Sequence, residues 1–223
     1  MLGPLGVKQN RRSRLWYDDR GWSLILVEFQ PGRSLGTYLN AGAMWLWADR
    51  PVWAFDFGGR TYWRDDASFT WQPPDGEAGW QQHVDFLNAD QFSRDVTFLA
   101  RVAALQIEDL RHQFPDVAAV GRRLTSTPGR RDESPLWRAF HGGAAAALGG
   151  DLTAAEQKFT QVASADVHVE WEQQLAAQAV GLLQLMHDPV ALRDRLLEAM
   201  SRGRHRLGLP AVVITQGPRT GGQ

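Results

Sequence analysis

Apolar positions along this chain follow two periods. Between residues 13 and 71 they come in short alternating runs separated by turn residues, and from Asn88 onward they recur every three to four residues. The first period is that of β-strands and the second that of helices. Strands are expected at about 13–17, 22–30, 35–47, 52–57 and 61–63, with a sixth at 68–72. The breaks between them are Asp18-Asp19-Arg20-Gly21, Pro31-Gly32-Arg33-Ser34, Asp49-Arg50-Pro51 and a hairpin turn at Gly58-Gly59. Residues of these types favour turns through positive φ, a fixed φ or local side-chain hydrogen bonds. In the second strand Ile25, Val27 and Phe29 share one face, and Trp22, Leu24 and Leu26 the other. The strand turns polar at Glu28 and Gln30. A sheet covered by helices on one face and only partly covered on the other would produce that pattern. Gly36 and Gly42 inside the third strand predict bulges or a close backbone approach.

Pro73-Pro74-Asp75-Gly76 closes the strand region. A short helix over about 80–87 and a long one over 89–112 are expected next. The long helix carries Phe92, Val96, Leu99, Ala103 and Leu110 on one stripe, with Asn88 and Gln91 spaced as a capping box and Pro115 as the break. Its stripe is the natural cover for one sheet face. A polar segment with Pro128 and Gly129 marks a boundary between an α+β domain, 1–125, and a helical subdomain, 126–209. Four helices follow: one from Ser134-Pro135 to Gly149-Gly150, one capped by Asp151, one over about 166–186, and one from Asp188-Pro189 to near Gly203. The segment GGAAAALGGDLTAAEQKFTQVAS weakly resembles one tetratricopeptide-type hairpin, but two antiparallel helices packed through alanines are the favoured explanation. Residues 210–223 are expected to form a disordered tail. The fold class is therefore α+β: an antiparallel, Trp-rich sheet of about five strands backed by a long helix and followed by a C-terminal helical bundle.

Composition narrows the chemistry. The chain has 223 residues, is 43% hydrophobic and 22% charged, and carries a formal net charge of −1. That balance creates no general field for nucleic acid or an acidic membrane. The absence of cysteine removes disulfides, thiolate metal sites and thiol nucleophiles. No apolar run reaches the roughly 18 residues of a membrane span. The N-terminus places its basic residues after a short apolar patch, the reverse of a signal peptide, so a cytoplasmic location is expected.

No phosphate loop, nucleophile elbow or HExxH pair is present, and the six histidines are scattered, so no catalytic residue, metal or cofactor is assigned. Asp18-Asp19 and Asp65-Asp66 point to opposite faces if extended and are expected in turns. The arginine clusters at 11–14, 122–123, 130–131 and 202–206 are short, so nucleic acid is not the expected partner. Glu28, Gln30 and Asn40 lie in otherwise apolar strands. With Tyr38 and Arg14 they form a candidate ligand pocket at the sheet end, the alternative being that they mark the solvent-facing strand ends. Trp45, Trp47 and Trp63 form a candidate partner-binding surface, because so many tryptophans exceed what a small sheet can cover.

The opening GPLGVKQNRRSRLWYDD, the strand ending EFQPGRS and the strand GTYLNAGAMW resemble DUF4304, a family of bacterial domains. The matching positions are Gly6, Lys8, Arg12, Trp16, Gln30, Tyr38, Asn40 and Gly42, with Val7 where the family has an aromatic residue. The resemblance covers residues 3–47. It implies an α+β domain and no particular reaction. The function expected from the whole sequence is that of a non-catalytic bacterial interaction protein with a protein partner, of an immunity or regulatory kind. The alternative is an enzyme or small-ligand binder using the sheet-end pocket.

Overall fold

The computed structural model describes residues 2–212. Its strands are β1 (Lys8–Gln9), β2 (Leu15–Asp19), β3 (Ser23–Pro31), β4 (Gly36–Trp45), β5 (Phe57–Arg60), β6 (Tyr62–Trp63), β7 (Phe69–Thr70) and β8 (His83–Asp85). An antiparallel sheet runs β1-β2-β3-β4-β5, and β8 joins the outer edge of β4 beside β5; β6 and β7 pair separately. The axis of the sheet is β4. One edge pairs with β3 from Thr37 to Trp45. The other meets β8 along Gly36–Tyr38 and β5 along Asn40–Ala43.

The pairing register separates two faces. Trp16, Asp18, Ile25, Val27, Leu39, Ala41, Ala43 and Val84 share one. Helix α1 (Ala89–Gln113) covers this face. Arg111 bridges to Asp18 at 2.8 Å, and Gln106 and Thr61, both fully buried, hydrogen-bond each other. Leu24, Leu26, Gly42 and Met44 begin the second face. The segment between β4 and β5 closes over it, with Trp53 against Tyr17 and Phe55 against Gly42. Beyond Leu26 and Gly42 the same face becomes polar. The switch at Glu28 and Gln30 thus records a face that is covered at one end and open at the other.

Several local expectations change. Asp18 and Asp19 belong to β2 rather than to a turn. Residues 52–56 are not a strand; β5 begins only at Phe57, and Gly58 and Gly59 lie within it instead of turning a hairpin. Gly42 faces Gly58 across β4 and β5, and a Cβ on Gly42 would stand 2.0 Å from the Phe57 carbonyl oxygen. The glycines therefore permit a close backbone approach, as expected for Gly42, rather than a reversal. The expected strand 35–47 stops at Trp45, where residues 46–48 tighten into a 3-10 turn. The expected helix at 80–87 is β8: Gln81 bridges Trp63, and Val84 points into the core between half-buried His83 and exposed Asp85.

The remaining helices are α2 (Val117–Ser126), α3 (Pro135–Gly149), α4 (Leu152–Ala163), α5 (Glu170–Leu183) and α6 (Pro189–Arg206). Side chains of Asn88, Asp116, Ser134, Asp151 and Asp188 accept from N–H groups in the first turns of α1, α2, α3, α4 and α6. Each such cap is worth about 1 kcal/mol. Helices α2 to α5 stack in chain order. Small residues let α3 and α4 approach closely, since a Cβ on Gly143 would meet the Phe159 ring at 2.9 Å. Helix α6 returns to the sheet, with Gly203 against the 3-10 turn. One continuous core runs from Leu2 through the sheet and all six helices to Leu209. Pro210, where a loose tail is expected to begin, is held by Arg204 through its carbonyl oxygen. Residues 213–223 of that expected tail lie outside the described residues.

Candidate functional site

The alternation of β3 and β4 places Glu28, Gln30, Tyr38 and Asn40 together on the open end of the second face. Asn40, 7% exposed, donates to Glu28 at 2.9 Å and to Gln30 at 3.0 Å. Arg60, which the sequence reading does not single out, donates to both Asn40 and Gln30 at 2.9 Å. Its guanidinium carbon lies 3.7 Å from the centre of the Tyr38 ring, and His83 flanks that ring on the other strand. The members satisfy one another, so the cluster is a cross-strand clamp on a sheet face. It walls neither of the two cavities described below. Arg14 is not part of it: it precedes β2 and lines a separate cavity with Phe29, on the face that α1 covers.

Trp45, Trp47 and Trp63 are each 1% exposed and cannot form the expected partner-binding surface. The sheet alone would not hide them; other elements do. Trp22, Trp45 and Trp47 stack with ring centres 5.6–6.1 Å apart, and Phe114 closes edge-on against Trp45. Trp47 is sealed further by helix α3, where its indole N–H donates to His141 Nδ1 at 3.1 Å.

His141 and Asp56 are the most conspicuous titratable pair. Their side chains are 1% and 3% exposed, and His141 Nε2 lies 3.3 Å from Asp56 Oδ1. The contact is close but is not aligned as a hydrogen bond. Asp56 also pairs with Arg50 and accepts from the Trp45 backbone N–H at 2.8 Å. Burial pushes the Asp56 carboxyl up, but the neighbouring His141 imidazole, the Arg50 guanidinium and the Trp45 N–H outweigh it and hold it below the usual range. A buried His–Asp pair invites a catalytic reading. Here the Trp47 N–H occupies one imidazole nitrogen and the other faces Asp56, leaving neither to take a substrate's proton. The pair fastens α3 to the loop before β5.

Beside this fastening lies a cleft of about 990 Å³ between residues 47–52, α3, α5 and α6. Arg50 lies over the Trp137 ring at 4.5 Å, and Trp137 stacks on Trp171, which is 42% exposed. Along α5 the lining positions are Trp171, Gln174, Leu175, Ala177, Gln178, Gly181 and Leu182; along α6 they are Arg195, Leu196, Ala199, Arg202 and Arg206. Both series follow a helical stripe, so each wall is about 16 Å long at 1.5 Å per residue. A Cβ on Gly181 would meet nothing within 4 Å. Four arginines line the cleft against one acidic residue, Asp49, which pairs with Arg202 at 2.8 Å and with Arg206 at 3.5 Å.

The sequence holds a trace of this site. Gln174, Gln178 and Gly181 interrupt an apolar helix on one stripe, and Arg195, Arg202 and Arg206 repeat on another. Neither stripe shows that the two helices face each other. Among the described residues no three His, Asp or Glu side chains converge as a metal site would require, and no helix is long and apolar enough to cross a membrane. Comparison of the chain with protein-family models, with curated proteins and with solved structures finds no match, so the DUF4304 resemblance rests on the residues quoted for it alone.

Proposed function

We propose that this chain is a non-catalytic protein-binding module, and that the cleft between α5 and α6 receives an acidic, amphipathic helical segment of a protein partner. The observation that carries this reading is the shape and lining of the cleft. It is a trough about 16 Å long with an apolar floor of Leu175, Leu182 and Leu196, aromatic walls at one end and arginines along one side. An elongated occupant fits a trough better than a compact metabolite does. Apolar anchors at helical spacing suit the floor, and carboxylates suit the arginines. The small residues Ala177, Gly181 and Ala199 leave room for another backbone to come close. A protein that holds a partner's segment without chemistry of its own acts by masking or positioning it, as immunity and regulatory proteins do.

The test is site-directed photo-crosslinking from Gln178 in the native lysate, with the captured segment mapped by mass spectrometry and then synthesised. The synthetic segment is expected to be acidic, to become helical when bound, and to lose about tenfold or more in affinity against Arg195→Glu. A captured segment that is basic, or one whose affinity is unchanged by Arg195→Glu and by Gly181→Trp, would overturn the reading.

A further inference from the structure

The cavity that Arg14 lines is separate from the cleft and points to a second ligand. It encloses about 430 Å³ at the end of the sheet, where the β3–β4 turn, the residues after β8 and the first turns of α1 meet. Its walls are mainly apolar, with Phe29, Leu35, Phe86, Phe92 and Val96 as the large side chains among them. The Phe86 N–H donates to the Leu35 carbonyl oxygen at 3.0 Å, and Phe86 packs edge-on against Phe92, so the rim is built rather than loose. Three large apolar residues stay open to solvent at this rim, Leu35 at 76%, Phe86 at 42% and the adjoining Leu87 at 75%. Such a cluster around a cavity marks a binding site more often than chance exposure.

Arg14 is the only charged residue among the lining positions. Its side chain is exposed and has no ion pair or side-chain hydrogen bond among the described residues. Of the polar lining residues, Thr37 is already engaged, its hydroxyl bonding backbone carbonyl oxygens of Gln30 and Tyr38. The cavity therefore offers an apolar interior and one unspent guanidinium. A guanidinium pairs with a single carboxylate through two parallel hydrogen bonds, whereas a phosphate dianion would call for more positive charge than one arginine gives. A volume in the lower part of the small-ligand range admits an acyl chain and excludes a protein helix.

We infer that the sheet-end cavity is a binding site for a medium-chain carboxylate, with the acyl chain among Phe29, Phe92 and Val96 and the carboxylate on Arg14. The assignment is independent of the cleft, and the two can fail separately.

Titration calorimetry with decanoate below its micelle concentration tests it, with decanol as the uncharged control. Decanoate is expected to bind one to one and about tenfold or more tightly than decanol. Arg14→Gln is expected to remove that difference without shifting the thermal melt, because the Arg14 side chain makes no internal bond and its backbone bond to the Phe29 N–H is kept. Val96→Trp, which fills the cavity, is expected to abolish binding of both, with circular dichroism confirming the fold. No binding of decanoate, equal binding of decanol, or binding indifferent to both substitutions would overturn the site. Concentration-dependent dimers dissolved by Leu35→Asp, with no decanoate binding, would overturn it in favour of self-association through the same rim.

Discussion

Arg204 in the last helix grips Asp19 in the second strand, 185 residues earlier, through two bonds of 2.7 Å. The guanidinium side chain is only 3% exposed and also donates to the carbonyl oxygens of Gly21 and Pro210. One side chain thereby closes the chain on itself, tying α6, the β2–β3 turn and the residue that follows Leu209. Removing one partner of a buried pair costs about 3–5 kcal/mol, because the other is left desolvated and unpaired. Arg204→Ala should lower the unfolding free energy by that amount in urea titration. In a double-mutant cycle with Asp19→Asn the two losses should fall short of additive by at least ~1 kcal/mol; additive losses would show that the pair is not coupled.

Acid should loosen the fold through two carboxylates. For Asp19, burial raises the carboxyl, but the Arg204 hydrogen bonds, the Gly21 N–H and the charges of Arg204 and Lys8 prevail and lower it from 3.8. Asp56 is lowered likewise. A depressed carboxyl contributes stability that is full above its unfolded value, near 3.8, and is lost as pH falls through the folded value. Urea midpoints should therefore hold steady from pH 7 to about 5 and drop below about 4. Asp56→Asn should start lower at pH 7 and show a shallower acid limb; an acid limb as steep as that of the wild type would remove Asp56 from the account.

Two glycines should respond oppositely to alanine. At Gly42 the added methyl would meet backbone, 2.0 Å from the Phe57 carbonyl oxygen, which cannot move without parting β4 from β5. Gly42→Ala should cost about 3 kcal/mol or more, at or beyond the upper end for overpacking. At Gly181 the methyl enters open space on a helix, and Gly181→Ala should gain about 0.5–1 kcal/mol. Thermal melts of the two variants check both signs.

Asn40 holds side chains rather than backbone. Its partners Glu28, Gln30 and Arg60 stand at the wet end of the sheet face and can turn to water. Asn40→Ala should cost about 1–2 kcal/mol, the worth of a few partly exposed hydrogen bonds. Arg60→Ala should cost a similar amount and release the Tyr38 ring, which the ring's chemical-shift change in NMR spectra would report. A loss above 4 kcal/mol for Asn40→Ala would mean that the cluster supports the core directly.

Much of the architecture was legible along the chain. Period two gave way to period 3.6 at Asn88, and Asn88, Ser134, Asp151 and Asp188 cap the helices they precede, because a cap is a local bond between near neighbours. The pairing that gathers Glu28, Gln30, Tyr38 and Asn40 was also within reach, since alternation on two adjoining strands puts them on one face. Arg60 and His83 were not, because they come from strands whose position beside β4 depends on long connections. Gly58-Gly59 is ambiguous along the chain for a related reason. A glycine pair suits a turn and a close strand contact equally well, and only the presence of Gly42 opposite decides between them.

The tryptophans mark the sharpest division between chain and fold. The sequence determined that Trp22, Trp45 and Trp47 would lie near one another, as β3 and β4 are joined by a short turn. Only tertiary structure decided that Trp45 and Trp47 would be hidden, because their cover comes from Phe114, 69 residues beyond Trp45, and from His141, 94 residues beyond Trp47. The same holds for the cleft and the sheet-end cavity. Each is a space between elements, and a sequence records which side chains exist but not which of them the packing leaves facing one another across a void. Local propensity and hydrogen bonding fix the elements, whereas burial, which acts between surfaces distant in the chain, fixes what they enclose.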